Sequence, residues 1–214
     1  MTHYINIHTH NSGLNSIENI FPKDAKAKLA QYPHQLFSLG LHPWFVGENF
    51  EEELHLVEEY SQHKQILAIG EIGLDKVCKT PFDIQKKVFL QQLNIAQKAQ
   101  KTVIIHCVKA FDETLEAKKR AKTSQAWILH GFRGGTEQAQ QLVAQGFYLS
   151  FGTQFSKEAL LQTPLERLFL ETDEACVSIE NHYRKIAENL NMSEKMLCRQ
   201  IAENFERVFE KTLH

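Results

Sequence analysis

The sequence predicts an α/β protein of 214 residues, built as a distorted, TIM-like (β/α)8 barrel. Eight short apolar runs follow one another along the chain, and amphipathic stretches separate them. The runs are rich in β-branched residues and lack strict alternation, which is typical of strands buried on both faces of a parallel sheet. Repeated units of this kind favour a barrel, and a doubly wound sheet remains the competing fold.

Eight strands are predicted from these apolar runs. In chain order they are Tyr4–His8, Ser16–Phe21, Gln35–Leu41, Ile66–Gly70, Thr102–His106, Ala126–His130, Gly146–Leu149 and Leu168–Thr172. Too few residues separate His10 from Ser16 for a crossover helix between parallel strands. The first β/α unit is therefore predicted to be abbreviated, and the barrel distorted.

Three helices stand out between and after these strands. Phe82–Gln100 is the clearest, because its apolar residues recur at helical spacing and Pro81 stands where helices commonly begin. Glu51–His63 is a second. Ser193–Lys211 is a third, with Ser193 as N-cap and an apolar stripe predicted to pack on the barrel, formed by Met196, Leu197, Ile201, Phe205, Val208 and Phe209.

Composition is that of an ordinary globular chain. A hydrophobic content of 43% suits one domain over residues 1–214. No apolar run is long enough to span a membrane and no signal peptide is visible, so a cytoplasmic location is expected. The four cysteines are scattered without a CxxC pair, which favours reduced thiols. Oligomeric state is not readable, and a monomer is the default.

The formal net charge of −2 argues against a protein that coats nucleic acid with a broad basic surface. A local nucleic-acid site stays open, because bound divalent cations would add positive charge that the sequence tally does not count.

Six residues able to bind metal lie at the ends of predicted strands: His8, His10, Glu71, His106, His130 and Asp173. Strand ends of a parallel β/α barrel point to one face, so ligands distant in sequence can meet there. Histidines of this kind can also be hydrogen-bonded residues of a core or surface. The set as a whole predicts a metallohydrolase.

Glu71 follows a buried strand, and the glycines around it allow close approach of backbone or ligand. It could bridge two ions, or pair with a lysine at the rim. Asp75 could orient a ligand as a hydrogen-bond acceptor, or simply begin a loop. Asp173 could bind metal and also accept a proton from water.

These segments together resemble the TatD family of metal-dependent hydrolases, which includes deoxyribonucleases. The resemblance spans nearly the whole chain and follows the family's order. It rests on His8-Thr-His10, Gly40-Leu-His-Pro43, Gly70-Glu-Ile-Gly-Leu-Asp75, Ile105-His-Cys107, His130-Gly-Phe132 and Glu171-Thr-Asp173, with Gln91-Gln-Leu93 and Asn204-Phe205 between and after them.

The resemblance implies a dinuclear site. One ion would be held by His8, His10 and Asp173, the other by His106 and His130, with Glu71 bridging them. The two divalent ions, of Zn, Mn, Mg, Ni or Fe, would activate a water for phosphodiester hydrolysis, with Asp173 as general base and Glu71 as its catalytic partner.

Three residues are expected to contact substrate. His42 could touch a phosphate, support the site or cap the turn before Pro43. Lys109 and Arg133 could approach phosphate, although both could equally be solvated rim charges.

The chain also departs from the family pattern. Asn6 stands where the family usually has Asp, which would weaken support of the ligands without deleting one. Val108-Lys109 replaces the family's Arg-Asp, and a later Arg-Asn-Glu-Pro stretch is not visible. These departures bear on substrate choice more than on metal binding.

The leading prediction is a 3′–5′ exodeoxyribonuclease acting on single-stranded or frayed DNA ends. The alternative is a metal-dependent amidohydrolase or phosphoesterase acting on a small molecule, since fold does not settle function. A non-catalytic metal-binding scaffold is the third reading, and it would need coordination shells with no open position.

Overall fold

The computed structural model describes residues 3–121 and 124–211. One sheet contains eight strands, in the order β1 to β8 along the chain, and the β1–β2, β3–β4, β4–β5 and β7–β8 pairs are parallel. This is the strand order of a (β/α)8 barrel, as predicted. The strands are β1 Asn6–Thr9, β2 Ser16–Ile20, β3 Leu36–Leu39, β4 Ile66–Asp75, β5 Thr102–Val108, β6 Trp127–Leu129, β7 Phe147–Phe151 and β8 Leu168–Leu170.

Helices follow most strands. They are α1 Ala25–Gln31, α2 Phe50–Tyr60, α3 Phe82–Ala99, α4 Phe111–Ala121, α5 Thr136–Ala144, α6 Lys157–Gln162, α7 Ile179–Asn189 and α8 Glu194–Phe209. Short 3-10 turns cover Pro22–Asp24, Pro43–Phe45 and Leu165–Arg167. Strand β1 leads to β2 without a helix, so the abbreviated first unit is confirmed. None of the helices in the described ranges is long and apolar enough to cross a membrane.

The predicted starts of helices α3 and α8 are confirmed, but the predicted burial of Met196 is wrong. Helix α3 begins after Pro81, and the Ser193 hydroxyl accepts a hydrogen bond from the Met196 backbone N–H as the N-cap of α8. Met196 was predicted to pack on the barrel, but it is 61% exposed. It precedes the buried Leu197 by one residue, which turns it about 100° around the helix axis and toward solvent.

The Cα positions divide the chain into two compact units. One unit comprises Met1–Glu18 together with Ile128–His214, and the other comprises Asn19–Trp127. In the first unit Thr9 and Asp173 form a parallel bridge, which brings the chain after β8 beside β1. A single domain over the whole chain stays a prediction.

Buried glutamines hold strand ends in the second unit. Gln92 is fully buried, and its amide accepts from the Leu41 backbone N–H at 2.7 Å and donates to the Leu41 carbonyl at 3.0 Å. Gln85 does the same for the end of β4, since its Oε1 accepts from Asp75 N at 2.8 Å and its Nε2 donates to Asp75 O at 2.9 Å. Helix α3 is thereby hydrogen-bonded to the chain just after β3 and to the last residue of β4.

Close packing between β4 and β5 explains the glycines around Glu71. A Cβ at Gly70 would lie 2.6 Å from Ile104 Cβ, and one at Gly73 would collide with the His106 carbonyl oxygen. The predicted close approach of backbone is therefore present, and it seats Glu71 in the interior.

Candidate metal centre

The first unit gathers three predicted ligands from β1 and the segment after β8. Asp173 Oδ1 lies 3.5 Å from His8 Nε2 and 3.4 Å from His10 Nε2. Two backbone hydrogen bonds fix this geometry, from Asp173 N to His8 O and from His10 N to Asp173 O. One carboxylate oxygen therefore faces two imidazoles, an arrangement that suits joint coordination of a cation.

The Asp173 carboxyl is held in its ionised form. Burial by itself raises its pKa, but the hydrogen bonds from His10 and His8 outweigh burial and hold the pKa well below its ordinary value. An ionised carboxylate is the form that coordinates a metal ion.

His130 lies in the same unit, with its ring centroid 4.3 Å from that of His8. His130 Nδ1 is 3.2 Å from Glu171 Oε1, and the same oxygen accepts from the Gly131 backbone N–H at 2.8 Å. A buried carboxylate at Nδ1 fixes Nε2 as the nitrogen that would bind metal. Ligand atoms of His8, His130 and Asp173 all lie within 4.8 Å of one another.

The second unit gathers a separate cluster of ligand atoms. Atoms of His42, Glu71 and His106 lie within 4.8 Å of one another. Glu71 Oε1 is 2.8 Å from His106 Nδ1 and 3.1 Å from His42 Nε2. All three residues are at least largely shielded from solvent, with side-chain exposures of 6% for Glu71, 13% for His106 and 9% for His42.

Asp75 contacts one of the two ring nitrogens of His106 and so orients the ring. The Oδ2 atom of Asp75 lies 3.0 Å from His106 Nε2 and accepts from the Trp44 indole N–H at 2.6 Å. Burial raises the pKa of Asp75, but the hydrogen bonds from His106 and Trp44 lower it by more. The pKa of Asp75 therefore lies below its ordinary value. Because ionised Asp75 can only accept, the His106 proton lies on Nε2.

When His106 carries only this proton, its Nδ1 is an acceptor that faces the Glu71 carboxylate. Two acceptors at 2.8 Å repel each other unless a proton or a cation lies between them. The pair therefore fits a bound divalent cation, and nitrogen and carboxylate donors together suit Zn, Mn, Fe or Ni.

His42 faces Glu71 through its other ring nitrogen, Nε2. Its Nδ1 accepts from the Trp44 backbone N–H at 3.1 Å, so the turn-capping role considered from the sequence is present. The ring proton of neutral His42 then lies on Nε2, which donates to Glu71. This favours a histidine that orients Glu71 over one that binds metal directly.

The two predicted substrate-binding cations, Lys109 and Arg133, are exposed. Neither makes a hydrogen bond or ion pair with residues 3–121 or 124–211. Lys109 has a positive φ of 53° directly after β5. Both remain predicted phosphate contacts.

Asn6 is buried and does not approach the ligands directly. Its Nδ2 donates to Thr172 Oγ1 at 2.8 Å, and its Oδ1 accepts from Thr172 N at 3.1 Å. Asn6 thus hydrogen-bonds β1 to the segment that carries Asp173.

Sequence reasoning missed the parts played by Glu171 and Trp44. Glu171 was visible in the Glu171-Thr-Asp173 segment, and the alternation of side chains could have placed it near the site, but nothing indicated His130 as its partner. Trp44 follows the Gly40-Leu-His-Pro43 segment, where an aromatic residue gives no signal of its own.

A solved structure shares this architecture. The YjjV TatD homologue of Escherichia coli superposes with a TM-score of 0.82 at 22% sequence identity, over 92% of this chain and 86% of that one. The fold is therefore that of a TIM barrel, and its clusters of histidine and carboxylate side chains could hold metal ions.

Sequence comparisons define the family more closely. The model of the TatD related DNase family matches residues 10–210. An uncharacterized metal-dependent hydrolase of Bacillus subtilis, YabD, is 33% identical over 196 residues, covering 87% of this chain and 76% of YabD. The human 3′-5′ RNA nuclease TATDN2 is 33% identical over 148 residues, covering 64% of this chain and 19% of that protein. The chain belongs to the TatD family of metal-dependent hydrolases.

Proposed function

We propose that this chain is a divalent-metal-dependent 3′–5′ exodeoxyribonuclease that trims single-stranded or frayed DNA ends. The observation that carries the proposal is the pair of imidazoles locked by buried carboxylates, His106 by Asp75 and His130 by Glu171. Carboxylate partners of this kind orient metal-binding histidines. The family's description as DNases and the nuclease named among its relatives support a nucleic-acid substrate.

Two ions would be held by the six residues identified from the sequence. His8, His10 and Asp173 would hold one ion, and their mutual contacts within one unit support this grouping. Glu71 and His106, in close contact in the other unit, would share the second ion with His130. The barrel fold supports the meeting of these groups, because strand ends of such barrels point to one face. Glu71 would bridge the ions, which could be Zn, Mn, Mg, Ni or Fe.

Different residues of the chain would have different roles in phosphodiester hydrolysis. When bound, the divalent ions would lower the pKa of the attacking water and stabilise charge on the phosphoryl group. Ionised Asp173 would accept the proton of the attacking water. His42 would hold Glu71 in place, while Lys109 and Arg133 would approach the substrate phosphates.

A cytoplasmic, monomeric, single-domain protein remains our expectation from the sequence. A DNA substrate is compatible with the net charge of −2, because the bound ions would supply positive charge where the scissile phosphate must lie.

Cleavage of a labelled oligonucleotide tests the function. The native chain, Glu71→Ala and the exposed control Glu116→Ala would be stripped of metal and reloaded with Mg²⁺, Mn²⁺ or Zn²⁺. Each would be given 5′-labelled single-stranded DNA and RNA. We expect the native chain and Glu116→Ala to shorten DNA from its 3′ end in single-nucleotide steps, and Glu71→Ala to lose at least about 100-fold in rate, as expected when a group essential to metal-ion catalysis is removed.

Two results would contradict the proposal. Intact DNA with metal shown to be bound, alongside cleavage of a small ester or amide, would establish the alternative of a small-molecule hydrolase. Faster cleavage of RNA than of DNA would change the substrate while keeping the chemistry.

A further inference from the structure

Trp44 is a large aromatic side chain that stays exposed beside the second ligand cluster. It is 58% exposed, in the short 3-10 turn that follows His42. Its ring centroid lies 5.2 Å from that of His42 and 6.0 Å from that of His106. An exposed tryptophan in contact with two histidines of a candidate active site differs from an isolated apolar residue on a surface.

The indole is fixed by its polar edge. The indole N–H donates to Asp75 Oδ2 at 2.6 Å, and the Trp44 backbone N–H donates to His42 Nδ1 at 3.1 Å. The side chain is therefore anchored to the groups that position His106 and Glu71, while more than half of its surface faces solvent. Such a ring is preorganised, so a ligand that stacks on it need not order it first.

Exposed apolar residues extend the same surface. Phe45 is 53% exposed and Val77 is 60% exposed. The Val77 backbone N–H donates to Asp75 Oδ1 at 2.8 Å, so Val77 and the indole are held by the same carboxylate. An exposed aromatic face beside a site that would take a phosphate matches the two parts of a nucleotide.

We propose that Trp44 stacks on a nucleobase of single-stranded DNA adjacent to the phosphodiester that is cleaved. This inference rests on the proposed function and adds a substrate-binding residue to it. Every base offers a π-face, so stacking of this kind binds single strands without selecting a sequence. It also supplies affinity in a chain whose net charge of −2 gives little general attraction for phosphates.

Tryptophan fluorescence tests the stacking without any need for cleavage. The chain has two tryptophans, and the other, Trp127, is only 1% exposed, so a bound base can quench Trp44 alone. Metal-loaded protein would be titrated with phosphorothioate-linked oligothymidine and with an oligomer of the same length made of abasic sugars. We expect quenching by oligothymidine only, and Kd lower by about tenfold for the strand with bases.

Variants separate stacking from support of Asp75. Trp44→Phe keeps an aromatic face but loses the indole N–H, whereas Trp44→Ala loses both; Met196→Ala, a change at another exposed apolar residue, serves as the control. Because these variants lack the fluorescence of Trp44, binding by all four chains would be compared through the anisotropy of fluorescein-labelled strands with and without bases. We expect Trp44→Phe to retain most of the preference for bases and Trp44→Ala to lose it. The same metal content in all four chains would exclude an indirect effect through His106.

The inference is overturned if native protein shows no base-dependent quenching, or if Trp44→Ala still prefers the strand with bases. It is also overturned if Trp44→Phe and Trp44→Ala lose the preference equally, because the N–H rather than the face would then matter. Base-dependent quenching without DNA cleavage would refute the proposed function and leave the stacking intact. DNA cleavage without any preference for the strand with bases would refute the stacking and leave the proposed function intact.

Discussion

Hydrogen-bond partners, rather than distances alone, distinguish the roles of the histidines. His106 has its proton on Nε2 because Asp75 can only accept, and His42 has its proton on Nε2 because its Nδ1 already accepts from a backbone N–H. With one ring proton each, the first histidine turns a lone pair toward Glu71 and the second turns a proton toward it. Two imidazoles that contact one carboxylate therefore differ, one as candidate ligand and one as support.

Asp75→Asn should weaken metal binding without removing a ligand. Oδ2 of Asp75 accepts from His106 and Trp44 while Oδ1 accepts from Val77, so an amide must turn its NH₂ group toward a donor on one side. We expect metal affinity to fall about 10- to 100-fold, measured by competition with a chromophoric chelator.

Asp112→Asn, at an exposed position of α4, is the matched control and should bind metal as the native chain does. Native affinity in Asp75→Asn would mean that His106 is held by other contacts or is not a ligand.

At the scale of elements, buried polar side chains tie strand ends to their neighbours. Asn6 joins β1 to the segment after β8, and Gln92 joins α3 to the end of β3. The backbone groups at these points would otherwise be buried without partners, at a cost of about 1–3 kcal/mol each. The Asn6 contact lies beside the candidate ligand Asp173, and the Gln92 contact lies beside His42.

Asn6→Ala should destabilise the protein, because it leaves the Thr172 backbone N–H without its acceptor. We expect the free energy of unfolding to fall by about 1–3 kcal/mol in urea denaturation. Asn6→Asp restores the residue usual in the family and keeps an acceptor for Thr172, so it should stay near native stability. Equal losses in both variants would show that the amide donor, and not the acceptor, holds the strand end.

Gly70→Ala should disturb the packing of β4 on β5. The added Cβ would lie 2.6 Å from Ile104 Cβ and 2.9 Å from the Ile104 carbonyl oxygen. We expect a loss of about 1–3 kcal/mol or more in the free energy of unfolding, as for other overpacked interiors. Gly47→Ala, where the added Cβ meets nothing within 4 Å, should change it by less than about 0.5 kcal/mol. Similar values for the two variants would contradict this packing.

Cys198 in α8 should make stability fall at alkaline pH. Burial, with a smaller contribution from Glu194, raises the pKa of this thiol to about 11. Because the folded pKa lies above the unfolded value of about 8.5, the stabilisation is complete below pH 8.5 and is lost as pH rises toward 11. Urea denaturation across this range should show a stability difference between the native chain and Cys198→Ser that narrows with rising pH. Parallel pH profiles would contradict the assigned shift.

At the scale of the whole molecule, strand order and family were readable from sequence because they depend on local patterns. Apolar runs that end in His106 or His130 predict both a strand and the edge at which its side chain lies. The partner of each imidazole could not be read, since His130 and Glu171 are 41 positions apart and the chain between them carries no pairing signal. The exposure of Met196 was missed because an apolar pattern in the sequence does not show where the buried face of a helix ends.

Metal stoichiometry tests the central claim most directly. Native protein and Glu71→Ala would be stripped, reloaded with Mn²⁺ or Zn²⁺, freed of excess metal and analysed by plasma mass spectrometry, with Glu116→Ala as control. The proposed dinuclear site predicts about two ions per chain in the native protein and the control, and fewer in Glu71→Ala, which lacks the carboxylate proposed to bridge them. Two ions retained by Glu71→Ala, or none bound by the native chain, would contradict it.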